Sequence, residues 1–202
     1  MPEFVASGGT LILWAVIGYL LGSIPSGVVI ARIMGLGDLR EIGSGNIGAT
    51  NVLRTGNKKA AALTLLFDAG KGLVAVLLAR AVVGEDAAQI AALAAFLGHC
   101  YPVWLDFKGG KGVATYFGIL FGLSVVIGLV GCAIWIVVAA IWRYSSMAAL
   151  VTAGWVPVFV AMFSENRSFV LLAILGLLIY WRHRGNIQRL RSGEEIKIGA
   201  KT

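Results

Sequence analysis

The chain has 202 residues, 58% of them hydrophobic and only 13% charged, with a mean hydropathy of +0.86. That is too apolar for a water-soluble domain. A bilayer crossing takes roughly 20 mostly apolar residues, so this length holds about six or seven crossing helices and excludes a separate soluble catalytic domain. Residues 1–202 therefore read as one all-α integral-membrane domain whose chemistry must reside in loops and helix ends. The formal net charge of +7 and the pI near 9.7 fit anionic headgroups, an anionic substrate, or simply the Lys/Arg excess of cytoplasmic loops.

The first apolar segment covers residues 10–34. It follows an N-terminus without a basic n-region and continues as a span, so no cleavable signal is expected. Within it, Gly22-Ser23-Ile24-Pro25-Ser26-Gly27 predicts a kink that frees backbone carbonyls, for packing or for a site. A polar loop over residues 35–59 holds Gly43-Ser44-Gly45-Asn46-Ile47-Gly48-Ala49-Thr50-Asn51, followed by Arg54, Lys58 and Lys59. Segment two, residues 60–83, is apolar except for Asp68 and Lys71, which stand at i,i+3 and can pair on one helix face. Ionisable groups at that depth are costly, so the two read either as a structural ion pair or as part of a site.

Glu85 and Asp86 lead into segment three, residues 87–105, which contains His99 and Pro102. It ends in Phe107-Lys108-Gly109-Gly110-Lys111-Gly112. Glycines let backbone amides turn toward an anion and the lysines supply charge, although such a run is also an ordinary flexible turn and lacks the context of a nucleotide P-loop. Residues 112–142 are too long for one span and short for two. Segments near 147–163 and 169–181 follow, then a basic tail from Arg182-His183-Arg184. His183 and Asn186 stand at i,i+3 and can face inward together. Cys100 and Cys132 both lie in apolar runs, which argues against a structural disulfide.

Charge sidedness decides the middle. With two short spans inside 112–142, making seven helices in all, Arg32, Arg40, Arg54, Lys58, Lys59, Lys108, Lys111, Arg143 and the tail as far as Lys201 fall on one side. Arg80, Glu85, Asp86, Glu165 and Arg167 fall on the other. The positive-inside rule then places the N-terminus outside (periplasmic) and the C-terminus in the cytoplasm. This topology gathers four polar elements on one face: the Pro25 kink, residues 43–51, residues 108–112, and residues 143–146 with 183–189. Two base-flanked glycine loops suggest two phosphate groups, or one that moves between them.

Several chemistries are excluded. There are only two histidines, His99 and His183, and no cluster has metal-ligand spacing, so no metal or cofactor is expected. A nucleophile elbow is missing. The His-x-x-x-x-Asp pattern of acyl-CoA-dependent glycerophosphate acyltransferases is missing too, since Asp106 lies seven positions after His99. A reaction here has to rest on positioning and anion stabilisation.

Taken in order, these motifs resemble the bacterial integral-membrane acyl-phosphate:glycerol 3-phosphate acyltransferases. The resemblance runs from Gly22–Gly27 through Gly43–Asn51, Asp68-Ala69-Gly70-Lys71-Gly72, Gly98-His99, Pro102 and Phe107–Thr115. It continues at Arg143-Tyr144 with Ser146, at His183-Arg184 with Asn186 and Arg189, and at Gly193-Glu194-Glu195-Ile196-Lys197. It implies seven transmembrane helices in the bacterial cytoplasmic (inner) membrane, with the active site facing the cytoplasm. It also implies acyl transfer from acyl phosphate to glycerol 3-phosphate, giving 1-acylglycerol 3-phosphate and phosphate for phospholipid synthesis. The partners implied are these two substrates and membrane lipid, not nucleic acid; oligomeric state is not implied. By motif, Ser44, Asn46 and Thr50, with Gly45 and Gly48, hold one phosphate. Arg54, Lys111, His183 and Asn186 hold the glycerol phosphate, with Gly109, Gly110 and Ser146 beside them. His183, Asn186, Ser44 and Asn46 are the candidate catalytic residues.

An activated donor needs no covalent enzyme intermediate. The expected mechanism is direct transfer, with a donor phosphate oxygen taking the hydroxyl proton and His183 as the competing base. The rival functional readings are a phosphate or organophosphate transporter and a structural subunit that binds anionic lipid. A transporter should show repeated halves and broken helices on both faces, and no internal repeat is present. A structural subunit leaves Asp68, Lys71 and the glycine loops unexplained.

Overall fold

A computed structural model describes residues 2–163 and 167–200; Glu165 and Lys201, assigned above to the outer and inner charge sets, lie outside the described residues. The helices are α1 (Gly8–Ser23), α2 (Ser26–Ile33), α3 (Ala49–Leu53), α4 (Lys58–Val82), α5 (Glu85–Cys100), α6 (Val113–Leu123), α7 (Val125–Trp142), α8 (Ser145–Phe163), α9 (Phe169–Arg182) and α10 (Arg184–Ser192). Among the described residues there is no β-strand. Among the described residues, five helices are long and apolar enough to cross a bilayer: Gly8–Ile33 (α1 with α2), α4, Glu85–Leu105, α7 and α8; α6 and α9 are apolar but shorter.

The expected kink at Pro25 is a full break. Proline cannot donate to the helix ladder, and α1 stops at Ser23 while α2 begins at Ser26. The freed Ile24 carbonyl accepts a hydrogen bond from Lys71 Nζ at 3.1 Å. Lys71 Nζ also lies 2.9 Å from Asp68 Oδ1, and both side chains are buried. The i,i+3 pair read from the sequence is therefore formed. It is joined by His99, whose Nδ1 lies 3.5 Å from the same carboxylate oxygen.

The awkward stretch after Gly112 resolves into two helices parted at Ser124, whose backbone is extended. α6 and α7 pack on each other, and an aromatic ring of α6, Phe121, covers Gly128 of α7. A one-residue link between mutually packed helices reverses the chain, so 112–142 forms two helices and not one long one.

α5 packs mainly on α1 and α4 and also touches α6 and α9, while α6 packs on α4 and α7, and α7, α8 and α9 follow as neighbours. In α5, Ala87, Ala88, Ala91, Ala92 and Ala95 are fully buried. Small residues let helix backbones approach closely where lipid supplies no hydrophobic drive between helices. The outer faces are the reverse of a soluble protein's, with Ile12, Leu66, Val125, Leu129 and Ile136 exposed while Asp68, Lys71, His99 and Thr115 are buried. Exposed apolar side chains around a polar interior are what a hydrocarbon surrounding selects.

Candidate active site

Three of the four polar elements meet around a cavity of about 750 Å³ lined by residues of the 44–54 loop, Lys111–Ala114, Ser145–Ser146, His183, Asn186 and the tail from Glu195. The fourth, the Pro25 break, does not line the cavity; its Ile24 carbonyl is linked through Lys71 to Asp68, which does. The lining also has an apolar part, formed by Leu65, Phe117, Phe121, Trp135 and Ile136, of which Leu65 and Ile136 are also exposed on the outer surface. One cavity thus joins a charged mouth to a lipid-facing flank.

At the charged end a chain of short hydrogen bonds links three elements. Lys111 Nζ donates to Asn186 Oδ1 at 2.6 Å. Asn186 Nδ2 donates to Glu195 Oε1 at 2.6 Å, and Ser146 Oγ donates to the same oxygen at 2.7 Å. Arg189 Nε holds the other carboxylate oxygen at 2.7 Å. Burial pushes the Lys111 pKa down, and it settles at about 8 despite the neighbouring Glu195 carboxylate. Burial pushes Glu195 up, but its hydrogen bonds from Ser146, Asn186 and Arg189 outweigh burial and leave it below the usual carboxylate value.

His183 is buried, with Nδ1 at 2.8 Å from the Ile179 carbonyl oxygen. A carbonyl only accepts, so Nδ1 carries the hydrogen and Nε2 is the bare nitrogen. Burial, and then the Lys111 charge, push the His183 pKa down to about 4. At neutral pH this is an uncharged imidazole that accepts a hydrogen bond.

The Gly43–Asn51 loop is held from within by buried Asn51. Its Oδ1 accepts from the Ser44 amide at 3.0 Å, and its Nδ2 donates to the Leu39 carbonyl at 2.8 Å. Asn46 Oδ1 accepts from the Gly48 amide at 2.9 Å, and the Gly45 amide donates to Ile42. Ser44, Asn46, Gly48, Thr50 and Arg54 line the cavity, whereas Gly45 does not. Thr50 Oγ1 lies 3.3 Å from Ser145 Oγ, joining this loop to the start of α8.

The second glycine loop differs from the expectation. The Gly109 amide donates to Cys100 O and the Gly110 amide to His99 O, both at 3.1 Å. Neither amide is available to an anion, because these glycines allow close approach to the end of α5. A Cβ at Gly110 would run into the imidazole of His99 at Nε2. The anion-facing role falls instead to the next residues. Lys111 and Gly112 have amides without a hydrogen-bond partner among the described residues, and they lead into the N-terminus of α6 on the cavity wall. Unpaired amides and the helix dipole favour negative charge there.

Sequence reasoning passed over Glu195, Arg189, Asn51 and Ser145 as site residues. Their motifs are visible, but an acid in a basic tail and an asparagine in a polar run carry no sign of which neighbour they bind.

The helical bundle and this cavity define a polytopic membrane protein with a charged internal site. The chain belongs to the glycerol-3-phosphate acyltransferase family, whose model matches residues 12–193. It is 60% identical over 202 residues to the glycerol-3-phosphate acyltransferase of Ruegeria pomeroyi, covering 100% of both chains. It is 61% identical over 191 residues to that of Roseobacter denitrificans, covering 95% and 96% of the two. Among solved structures it is similar to PlsY (YgiH), an integral-membrane glycerol 3-phosphate acyltransferase, in its glycerol 3-phosphate form. That match has a TM-score of 0.88 and 39% identity over 95% of this chain and 96% of the other. The lysophosphatidic acid form of PlsY matches with a TM-score of 0.84 and 37% identity, over the same shares.

Proposed function

We propose that this protein transfers a fatty acyl group from acyl phosphate to glycerol 3-phosphate, releasing 1-acylglycerol 3-phosphate and inorganic phosphate. The observation that carries this reading is the Lys111–Asn186–Glu195 cluster beside His183, set at the mouth of a cavity whose lining also has an apolar part exposed on the outer surface. A phosphate group and a fatty chain need those two ends. That a similar protein has structures in glycerol 3-phosphate and lysophosphatidic acid forms supports the acceptor and the product.

Lys111, Arg54, Asn186 and Ser146 bind the acceptor phosphate, and His183 Nε2 accepts from the attacking hydroxyl. Ser44, Asn46 and Thr50 hold the donor phosphate; the amides of Gly45 and Gly48 are engaged by Ile42 and Asn46 and instead fix the shape of this loop. The hydroxyl oxygen attacks the acyl carbon, the carbon–oxygen bond to phosphate breaks, and the proton passes to the departing phosphate as its basicity rises. His183 orients the hydroxyl and is not its base, because general bases work best with a pKa near the working pH and His183 lies at about 4. Rate comes from alignment and from stabilising the charge that develops on the phosphate and the carbonyl oxygen.

α1 with α2, then α4 through α9, make seven passes of the cytoplasmic membrane, with the N-terminus outside and the site facing the cytoplasm. α6 and α9 cross despite their length because polar loops dip to meet them. The test is purified protein in detergent, given acyl phosphate and glycerol 3-phosphate, with phosphate release and lysophosphatidic acid formation measured against acyl-CoA as donor. Absence of release dependent on glycerol 3-phosphate refutes the enzyme reading, and equal turnover with acyl-CoA refutes the donor.

A further inference from the structure

We propose that Arg182 is a positioning residue for the transfer site, acting through the backbone of Gly109 and Gly110 to set Lys111 against Asn186. This rests on the binding role given to Lys111 above. Arg182 Nη2 donates to the Gly109 carbonyl at 2.9 Å and Nε donates to the Gly110 carbonyl at 3.1 Å. The amides of the same two glycines are held by the Cys100 and His99 carbonyls. All four polar backbone atoms of the pair are therefore engaged, two by the end of α5 and two by one guanidinium.

The clamp is itself anchored. The guanidinium lies over the Tyr101 ring, 5.0 Å from its centroid, and the Tyr101 carbonyl accepts from Tyr19 of α1 at 2.8 Å. His99, whose ring fills the space below Gly110, is tied to the buried Asp68–Lys71 pair. On this footing the Gly110 carbonyl cannot turn. A peptide unit is planar, so fixing that carbonyl also fixes the amide of Lys111 and the origin of its side chain.

The other end of the constraint lies on the same segment as Arg182. Asn186, four residues on, receives Lys111 Nζ at 2.6 Å. Arg182, Gly110, Lys111 and Asn186 thus close a ring that sets the glycine loop in register with the His183 segment. Only a planar guanidinium offers two donors with the spacing of successive carbonyls; a lysine supplies a point charge at one of them. Both donating nitrogens are engaged by the loop carbonyls, and Arg182 is not among the residues that line the transfer cavity.

The experiment is a double-mutant cycle on the full-length protein in detergent, reading KM and kcat for each substrate. Arg182→Gln should raise KM for glycerol 3-phosphate about tenfold while KM for acyl phosphate moves less than about twofold. Arg182→Lys should fall between wild type and Gln. In a Lys111→Met background, Arg182→Gln should add less than about twofold, because the residue through which it acts is gone. A full tenfold effect on top of Lys111→Met overturns the inference and leaves the role of Lys111 intact. No change in KM from Lys111→Met alone overturns the binding role of Lys111 and the clamp with it. If Arg182→Gln does not yield a monodisperse protein, Arg182→Lys carries the same cycle by the same criterion, at a threefold expected effect.

Discussion

Lys111 offers a quantitative handle on the site. Its ammonium is desolvated enough to bring the pKa from 10.5 to about 8, and in the proposed mechanism glycerol 3-phosphate, a dianion above about pH 7, binds the charged form. The sign follows directly: as pH rises through 8 the cation is lost and binding weakens. With kcat/KM proportional to the protonated fraction, the attenuation factor is 1 + 10^(pH − 8), about 1.1 at pH 7 and about 11 at pH 9. The structure therefore predicts a roughly tenfold fall in kcat/KM for glycerol 3-phosphate between pH 7 and pH 9. A lysine at its ordinary pKa would change it by only a few per cent over the same range. His183, at about 4, adds nothing in this window. The assay is initial-rate phosphate release with a blank lacking acceptor, which removes spontaneous donor hydrolysis. Lys111→Arg should flatten the profile, since guanidinium stays charged throughout. A wild-type profile flat to pH 9, or a Lys111→Arg enzyme that keeps the tenfold fall, refutes the reasoning.

Four further outcomes are expected. Glu195→Gln removes a carboxylate that favours the Lys111 cation, so the alkaline limb of the same profile should move to lower pH, and KM for glycerol 3-phosphate should rise as Arg189 loses its partner. His183→Gln should keep kcat within about fivefold and raise KM for glycerol 3-phosphate; a loss of turnover of about a thousandfold or more would restore His183 as the base. Gly110→Ala should drive a methyl into the His99 ring and abolish turnover, with a lowered melting temperature in detergent. Asp68→Asn strands a buried ammonium and should cost about 3–5 kcal/mol of stability, read as a thermal shift, while Asp68→Asn combined with Lys71→Met should recover most of it.

Hydropathy and charge suffice to read an all-α membrane bundle here, and the Asp68–Lys71 spacing suffices to expect a pair, because both are local properties of a helix. The division of 112–142 into two helices is legible for a different reason: in the charge pattern, only two segments there keep Lys108 and Arg143 on one side. What Gly109 and Gly110 do is not legible. A phosphate cradle and a close approach to another helix select glycine for the same lack of a Cβ, and only the positions of His99 and Cys100 tell them apart. Glu195 is hidden likewise, since the donors that surround it come from Ser146 and Asn186 on separate elements.

The pairing of Asp68 with Lys71 within a single helix also bears on how the protein is made. Insertion scales put an isolated Asp or Lys at mid-membrane at about +2.5 to +3.5 kcal/mol each. Because α4 carries both charges 2.9 Å apart on one face, its buried middle adds no net charge as it leaves the translocation machinery, while Lys58, Lys59 and Arg80 lie near its ends. The Ile24 carbonyl that completes the lysine's shell belongs to a segment synthesised earlier and already in the bilayer. His99 arrives later, with α5. The order of synthesis therefore matches the order in which the buried charge acquires its partners, and α4 never has to wait in lipid with a bare ion.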